Sequence, residues 1–381
     1  MLLDRKAIAV LKKLNKNGIE AFIVGGAVRD YLLNKKPHDY DICYNAEISE
    51  IYRIFKGFNI YETGIKYGTV TLNYKGLLIE LTRFRTEDLY LDNRHPKQVN
   101  FVDDIAKDLS RRDFTINAMA IDKDKNITDI YGGKQDLKNG IIKAVGNPSE
   151  RFLEDALRIL RAFRFASRFG FEIDAETAKA IFSQKAGLKA LAKERITEEI
   201  KEILVGEYFE KVFYEFLKAS QDIINTENID KFACLNVLKK VRKELRFLYF
   251  VFLFNCENAL RLSGKEQRIL NILNECKNTQ KPDICKLFLN YELDEISIIL
   301  EYFSLYGALT EEIKNQYSFI IKKGLNRQIK DLKINGNDLK ELGFKGAEIS
   351  KIKTDLQLLI LQNKIKNKKL ALIKYVKENY K

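Results

Sequence analysis

Two rhythms of hydrophobic and polar positions divide this chain. The opening MLLDRKAIAVLKK places its apolar residues at helical spacing and predicts an amphipathic first helix. Residues 20–24 (EAFIV), 67–73 (YGTVTLN) and 77–81 (LLIEL) are short runs of β-formers and predict strands, with helical spacing over 27–33 and 47–56 between them. From about residue 150 the spacing is helical almost to the end, with few glycines and only Pro148 and Pro282 as interruptions. The last stretch, KIKNKKLALIKYVKENYK, predicts a basic amphipathic helix, either a solvated face or part of an RNA-binding tail. An α+β head followed by an all-helical remainder is the expected architecture. No internal repeat or low-complexity run stands out.

Composition narrows the possibilities. The 381 residues leave room for two or three cores, and 46% apolar with 31% charged residues is ordinary for a globular protein. No run approaches the roughly 20 apolar residues of a membrane helix, so no membrane is expected as partner. The opening segment mixes one acid and four bases among its apolar residues, unlike a secretory signal, and cytoplasmic localisation is the default. The net charge of +13 favours a polyanionic partner such as nucleic acid, although a lysine-rich background gives the same excess. Five cysteines show no C-x-x-C pair, and only His38 and His95 are present, which argues against a zinc site and for reduced, buried thiols. Any metal should be held by carboxylates, which suits magnesium or manganese.

Three clusters carry candidate chemistry. Gly25-Gly26-Ala27-Val28-Arg29-Asp30 follows a predicted strand and opens a short helix. Two glycines let backbone N–H groups approach a phosphate, the helix N-terminus favours negative charge, and Arg29 adds a forked donor. Ten residues after Arg29 comes Asp39-Tyr40-Asp41, where an extended backbone would point both carboxylates to one side. Such a pair calls for a hard divalent cation and could form a two-metal site for phosphoryl chemistry. Glu80 is a candidate third acid, its alternative being a salt bridge to Arg83 or Arg85, while His38 reads as a turn-exposed side chain.

Further on, Arg111-Arg112-Asp113-Phe114-Thr115-Ile116-Asn117-Ala118 suits a triphosphate and a ribose, or else a capped helix start with Asp113 as cap. In EDALRILRAFR, read as one helix, Asp155 and Arg158 are i,i+3 neighbours, and Arg161 and Arg164 continue the stripe. The bland reading of the first two is an ordinary surface ion pair. The sharper reading is a base reader. Cytosine and adenine both present an amino donor beside a ring-nitrogen acceptor, and guanine and uracil present the opposite order. One carboxylate beside one guanidinium would accept the first two bases and leave polar groups unmatched with the others.

Together, GGAVRD, the DYD pair, TGIKYGTVTL, RRDFTINAMA, DIYGGKQDL, EDALRILRAFRFASRFGF and ERITEEI resemble the class II tRNA nucleotidyltransferases, the bacterial-type branch of the DNA polymerase β-like superfamily. INGNDLKELGFKGAEISKI echoes them more loosely near the C-terminus. The resemblance implies a polymerase β-like head over residues 1–139, a helical neck over 140–205 with the base reader, a helical body over 206–320, and a tRNA-binding tail over 321–381. It implies addition of C, C and A from CTP and ATP to tRNA, with magnesium, two ions in the site, and no obligate protein partner. Gly26 and Arg29, with Gly25 beside them, would hold the triphosphate, and Asp39 and Asp41 the metals. Arg112 would contact the incoming nucleotide and Asp113 its ribose, Asp155 and Arg158 would read the base, and Arg161 and Arg164 would complete the pocket. Related enzymes that add only A, and poly(A) polymerases, are the alternatives. No Gly-Arg segment of the poly(A) polymerase kind precedes Gly25, and the interval RFRTEDLYLDNRHPKQVNFVDDIAKDL reads as a mobile lid of the sort that is shortened in CC-only enzymes, which argues against a CC-only enzyme and leaves an A-only one open.

Overall fold

The computed structural model describes residues 2–87, 99–324 and 331–380. The opening helix α1 (Arg5–Lys16) starts where the Asp4 side chain accepts from the Lys6 N–H at 2.8 Å, and it buries Ala7, Ile8, Val10, Leu11 and Leu14. This apolar stripe packs on a mixed sheet whose strands are β1 (Ala21–Val24), β2 (Asp41–Tyr44), β3 (Asn59–Gly64), β4 (Thr69–Tyr74), β5 (Leu77–Arg83), β8 (Met119–Ile121) and β9 (Ile127–Asp129). Their order is β3-β4-β5-β2-β1-β8-β9, parallel between β2 and β5 and antiparallel elsewhere. The inner strand β1 is buried at every position, as a central strand covered on both faces requires.

Helix α2 (Gly26–Leu32) leaves β1 directly, and α3 (Ile48–Ile54) follows β2. The strands expected over 20–24, 67–73 and 77–81 and the helices over 27–33 and 47–56 are all present within two residues of those bounds or less. The pairs β6 (Arg85–Glu87) and β7 (Val99–Phe101) run antiparallel at the base of the predicted lid. The centre of that lid, residues 88–98 with His95 and Pro96, lies outside the described residues.

Helices α4 (Ile105–Ser110) and α5 (Gly133–Asn139) complete the sheet-bearing part. There Gly133 is a packing requirement, because a Cβ would stand 2.2 Å from the Thr115 carbonyl oxygen. A short parallel pair, β10 (Ile141–Ile142) with β11 (Glu172–Ile173), interrupts the region predicted as purely helical from residue 150. Around it stand α6 (Pro148–Glu154), α7 (Leu157–Phe169), α8 (Ala175–Gln184), α9 (Lys193–Val205) and α10 (Phe209–Ala219). Helix α7 buries Ile159, Leu160, Ala162, Phe163 and Ala166 and packs on α9 and α10. Close approach there depends on Gly206, whose added Cβ would meet the Ser167 hydroxyl at 1.8 Å.

Two compact units partition the chain, Met1–Leu235 with Phe254–Arg261, and Asn236–Leu253 with Leu262–Lys381. Helices α11 (Lys231–Lys240) and α12 (Arg246–Phe254) precede α13 (Gly264–Lys277), α14 (Ile284–Asn290), α15 (Leu293–Leu305), α16 (Glu311–Lys323), α17 (Gly336–Glu341), α18 (Ala347–Leu361) and α19 (Lys369–Asn379). In the second unit one core gathers Ile284, Phe288, Ile296, Ile313, Ile320 and Leu361, and another gathers Leu339, Ile352, Leu356, Ile360, Leu372 and Val376. The basic last helix spans only Lys369–Asn379, since residues 362–368 connect it to α18. Among the described residues no helix is long and apolar enough to cross a membrane. All five cysteines are unpaired and buried.

Candidate active site

Strand pairing assembles the acidic cluster. Val24, the last residue of β1, lies opposite Asp41, the first of β2, and Asp41 lies in register with Glu80 across the parallel pair β2–β5. In-register residues on parallel strands share a face, so Asp41 and Glu80 stand side by side. The Tyr40 ring goes to the other face, buried, with its hydroxyl accepting from the Asp4 N–H at 2.7 Å. That anchor fixes which way the two aspartates point. Asp39 is exposed in a bend just before the strand, Asp41 is half-buried, Glu80 is exposed, and His38 is exposed in the same bend. Arg83 instead pairs with Glu47 at 2.6 Å, and Arg85 donates to the Tyr67 carbonyl at 2.6 Å.

Burial, then the neighbouring Glu80 and Asp39 carboxylates, push the Asp41 carboxyl up to about 6, with Arg112 pulling the other way. A carboxylate that resists ionisation among others gains most from a cation, and oxygen donors of this type fit a hard divalent ion. Among the described residues no group of three or more His, Cys, Asp or Glu converges into a metal cage. The aspartates would therefore supply part of a coordination shell and leave the rest to water and phosphate oxygens.

The glycine turn closes onto this cluster. Gly25 has a φ of 70°, a conformation that L residues rarely adopt, and a Cβ there would lie 3.1 Å from Arg112 Nη1 and 3.7 Å from Asp41 Oδ2. Turn, carboxylate and arginine thus meet at one point. Arg112 is held from behind by Asp108, a wholly buried carboxylate that accepts from Arg112 Nη2 at 3.1 Å and from Arg111 Nε and Nη2 at 3.0 and 2.9 Å. Burial opposes its charge, yet the two arginines hold the Asp108 carboxyl below its ordinary value.

From Arg29 a buried hydrogen-bond chain runs into the helical layer. Arg29 donates through Nε and Nη2 to Asp30 Oδ1 at 3.0 and 2.8 Å and through Nη1 to Asn117 Oδ1 at 2.7 Å. Asn117 Nδ2 donates to Asp113 Oδ1 at 3.1 Å, and Arg161 forks onto Asp113 Oδ2 at 2.8 and 2.6 Å. Burial works against the Asp113 charge, but Arg161 and the hydrogen bonds from Asn117 and Arg161 bring its pKa down to about 2. Arg164 donates to Glu199 Oε1 at 3.0 Å.

The segment expected as one helix through Asp155 is broken there. Asp155 has extended backbone (φ −143°, ψ 101°) between α6 and α7, and its Oδ1 accepts from the Leu157 N–H at 3.0 Å. A short acid that caps the next turn competes with helix continuation, which is why the i,i+3 geometry does not form. Asp155 Oδ2 pairs with Arg195 at 2.8 Å, and Arg158 donates to Glu154 at 2.7 Å and to the Arg111 carbonyl at 3.0 Å. The partners Asp108, Glu154, Arg195 and Glu199 were not singled out in the sequence. Arg195 and Glu199 fall within ERITEEI, so the motif marked them, but only tertiary contacts reveal their roles. A cavity of about 470 Å³ lined by Phe163, Phe171, Ile181, Phe182 and Val212, among others, contains none of the predicted site residues.

The chain as a whole is similar to known proteins. Residues 21–143 match the family described as the poly A polymerase head domain, and residues 170–219 match a probable RNA and SrmB-binding site of polymerase A. A CCA-adding enzyme of Staphylococcus haemolyticus is 34% identical over 100% of this chain and 99% of its own length. One of Pediococcus pentosaceus is 36% identical over 97% of this chain and 96% of its own. Among solved structures, the Bacillus stearothermophilus CCA-adding enzyme in complex with CTP superposes with a TM-score of 0.80 at 25% identity, covering 98% of this chain and 96% of that one. The Thermotoga maritima enzyme complexed with tRNA shares the fold, with a TM-score of 0.68 at 21% identity over 100% of this chain and 97% of its own. The chain belongs to the CCA-adding enzymes, in the class II branch that its motifs resemble.

Proposed function

We propose that this protein builds the CCA end of tRNA without a nucleic-acid template, adding C, C and A from CTP and ATP and releasing pyrophosphate. The observation that carries the reading is the meeting of Gly25, Asp41 and Arg112 at the end of β1, with Glu80 in register beside Asp41. The tRNA 3′-hydroxyl oxygen attacks the α-phosphorus of the bound nucleotide, and the bond from that phosphorus to its bridging oxygen breaks. Gly25 leaves space for the phosphate chain, and Arg112, braced by Asp108, presents positive charge to it. Arg29, Arg161 and Arg164 form the basic wall around the triphosphate, and Asp113 orients Arg161 while lying beside the sugar.

Asp39 and Asp41 would hold magnesium, in a two-ion site, where the cation lowers the pKa of the attacking hydroxyl and offsets phosphate charge. Asp155 and Arg158 read the base edge, supported by Arg195 and Glu154. Reading a base requires these side chains to trade at least part of their present ion pairs for the nucleotide. Residues 1–139 act as head, 140–205 as neck, 206–320 as body and 321–381 as tail, the last two gripping tRNA through its backbone and shape. The work is placed in the cytoplasm, where tRNA and both nucleotides are available.

Incubation with labelled CTP or ATP, magnesium and tRNAs ending before the CCA or after CC tests the reading. Both nucleotides should enter a tRNA that lacks CCA, in the order C, C, A, and growth should stop there. ATP use only on tRNA ending in CC would mark an A-adding enzyme, and long A tails on unrelated RNA a poly(A) polymerase.

A further inference from the structure

Three of the arginines assigned to the nucleotide pocket share one aromatic ring. The guanidinium carbons of Arg29, Arg161 and Arg164 lie 5.4, 5.4 and 4.9 Å from the Phe165 centroid. Phe165 is only 4% exposed, meets the Phe114 ring edge-on at 5.7 Å, and stacks on Phe169 at 6.2 Å with an interplanar angle of 8°. Arg29 also lies 4.9 Å from the Phe169 centroid.

Like charges gathered in a buried space repel one another, and each of these arginines has found a carboxylate of its own: Asp30, Asp113 and Glu199. Burial and the neighbouring Arg161 charge draw the Arg164 guanidinium below its ordinary value, which shows the strain of the arrangement. The negative face of a phenyl ring is a neutral group that attracts cations without accepting a hydrogen bond. It therefore steadies three guanidiniums without taking any of their N–H donors, which bond to Asp30, Asn117, Asp113 and Glu199.

We propose that Phe165 is a positioning residue for nucleotide binding, its ring face holding Arg29, Arg161 and Arg164 in the array that receives the nucleoside triphosphate. The proposal rests on the reading that these arginines bind the nucleotide. Phe165 itself touches no substrate. Its effect falls on how well the arginines are placed before the nucleotide arrives, and so on KM for CTP and ATP more than on kcat.

Replacing Phe165 in the full-length protein by mono-, di- and trifluorophenylalanine weakens the ring's negative face in steps with little change of shape. KM for CTP, measured with tRNA lacking CCA, should climb at each step and reach about tenfold at the trifluoro ring. The melting temperature should move little across the series, and Phe165→Leu should match the trifluoro protein in KM. A KM that stays flat across the fluorinated series overturns the proposal and leaves Phe165 as core packing. Arg161→Ala and Arg29→Ala, measured alongside, separate the two claims. If either raises KM while fluorination does not, the pocket stands and the platform fails. If both keep the wild-type KM, the nucleotide-binding reading fails and takes the platform with it.

Discussion

Asp113→Asn removes one charge from the middle of the buried chain and nothing of its volume. In the native protein Asp113 Oδ1 accepts from the Phe114 N–H at 2.8 Å and from Asn117 Nδ2, while Oδ2 takes both arms of Arg161. A carboxyl held at about 2 instead of its ordinary 3.8 prefers its ionised form by about 2 kcal/mol in the folded state. Asparagine keeps one acceptor for Phe114 and Asn117 but turns an NH2 group towards the donors of Arg161, leaving that guanidinium unmatched in a buried setting. The variant should therefore lose about 2–4 kcal/mol at pH 7, read as a lower denaturant midpoint for the unit that contains it. The sign with pH follows from the depressed pKa. The Asp113 contribution is complete above about 4 and fades as pH falls towards about 2, so wild type and variant should converge there. A variant as stable as wild type at pH 7, or a gap that widens in acid, would refute this account of the network.

Asp41 behaves in the opposite sense. Its carboxyl, raised to about 6, costs stability as pH rises through that value, so Asp41→Asn should stabilise the metal-free protein by up to about 3 kcal/mol at pH 7 while abolishing incorporation, as paired melting and activity assays would show. Gly133→Ala should cost several kcal/mol, roughly 2–4, because its Cβ meets the Thr115 backbone and not a movable side chain; a soluble variant with an unchanged melting temperature contradicts the packing described. The cysteines are buried, with Cys43, Cys256 and Cys276 pushed up to about 12 chiefly by burial, so a thiol reagent should titrate them slowly in native protein and all five promptly in denaturant.

Local pattern made the element types legible wherever burial follows a single period. The stripe of α1 and the alternation of β5 are such cases, whereas β4 buries Val70, Thr71 and Leu72 in a row and shows only through its β-formers. Other strands escaped: β8 and β9 have only three residues, too few for a period to show, and β3 has six but buries none of them, so no apolar side marks it. The site was legible as residue types near motifs, but its assembly was not. Nothing local says that Asp41 and Glu80 will align across parallel strands, or that Asp113 will bind an arginine 48 positions later. Asp155 shows the limit most directly. EDALRILRAFR reads as unbroken helix because alanine, leucine and arginine all favour one, yet the acid caps the following turn and pairs with Arg195. Its helical spacing to Arg158 therefore predicted a contact that the backbone does not make.

On this account, Asp39 and Asp41 bring divalent ions to the phosphates of a nucleotide seated against the glycine turn. A crystal structure with CTP and manganese, read by anomalous scattering, tests it most directly. Manganese peaks touching both aspartates, with the triphosphate against Gly25, Gly26 and Arg112, are the predicted result. Peaks and nucleotide bound elsewhere on the protein, with both aspartates facing only water, would contradict it.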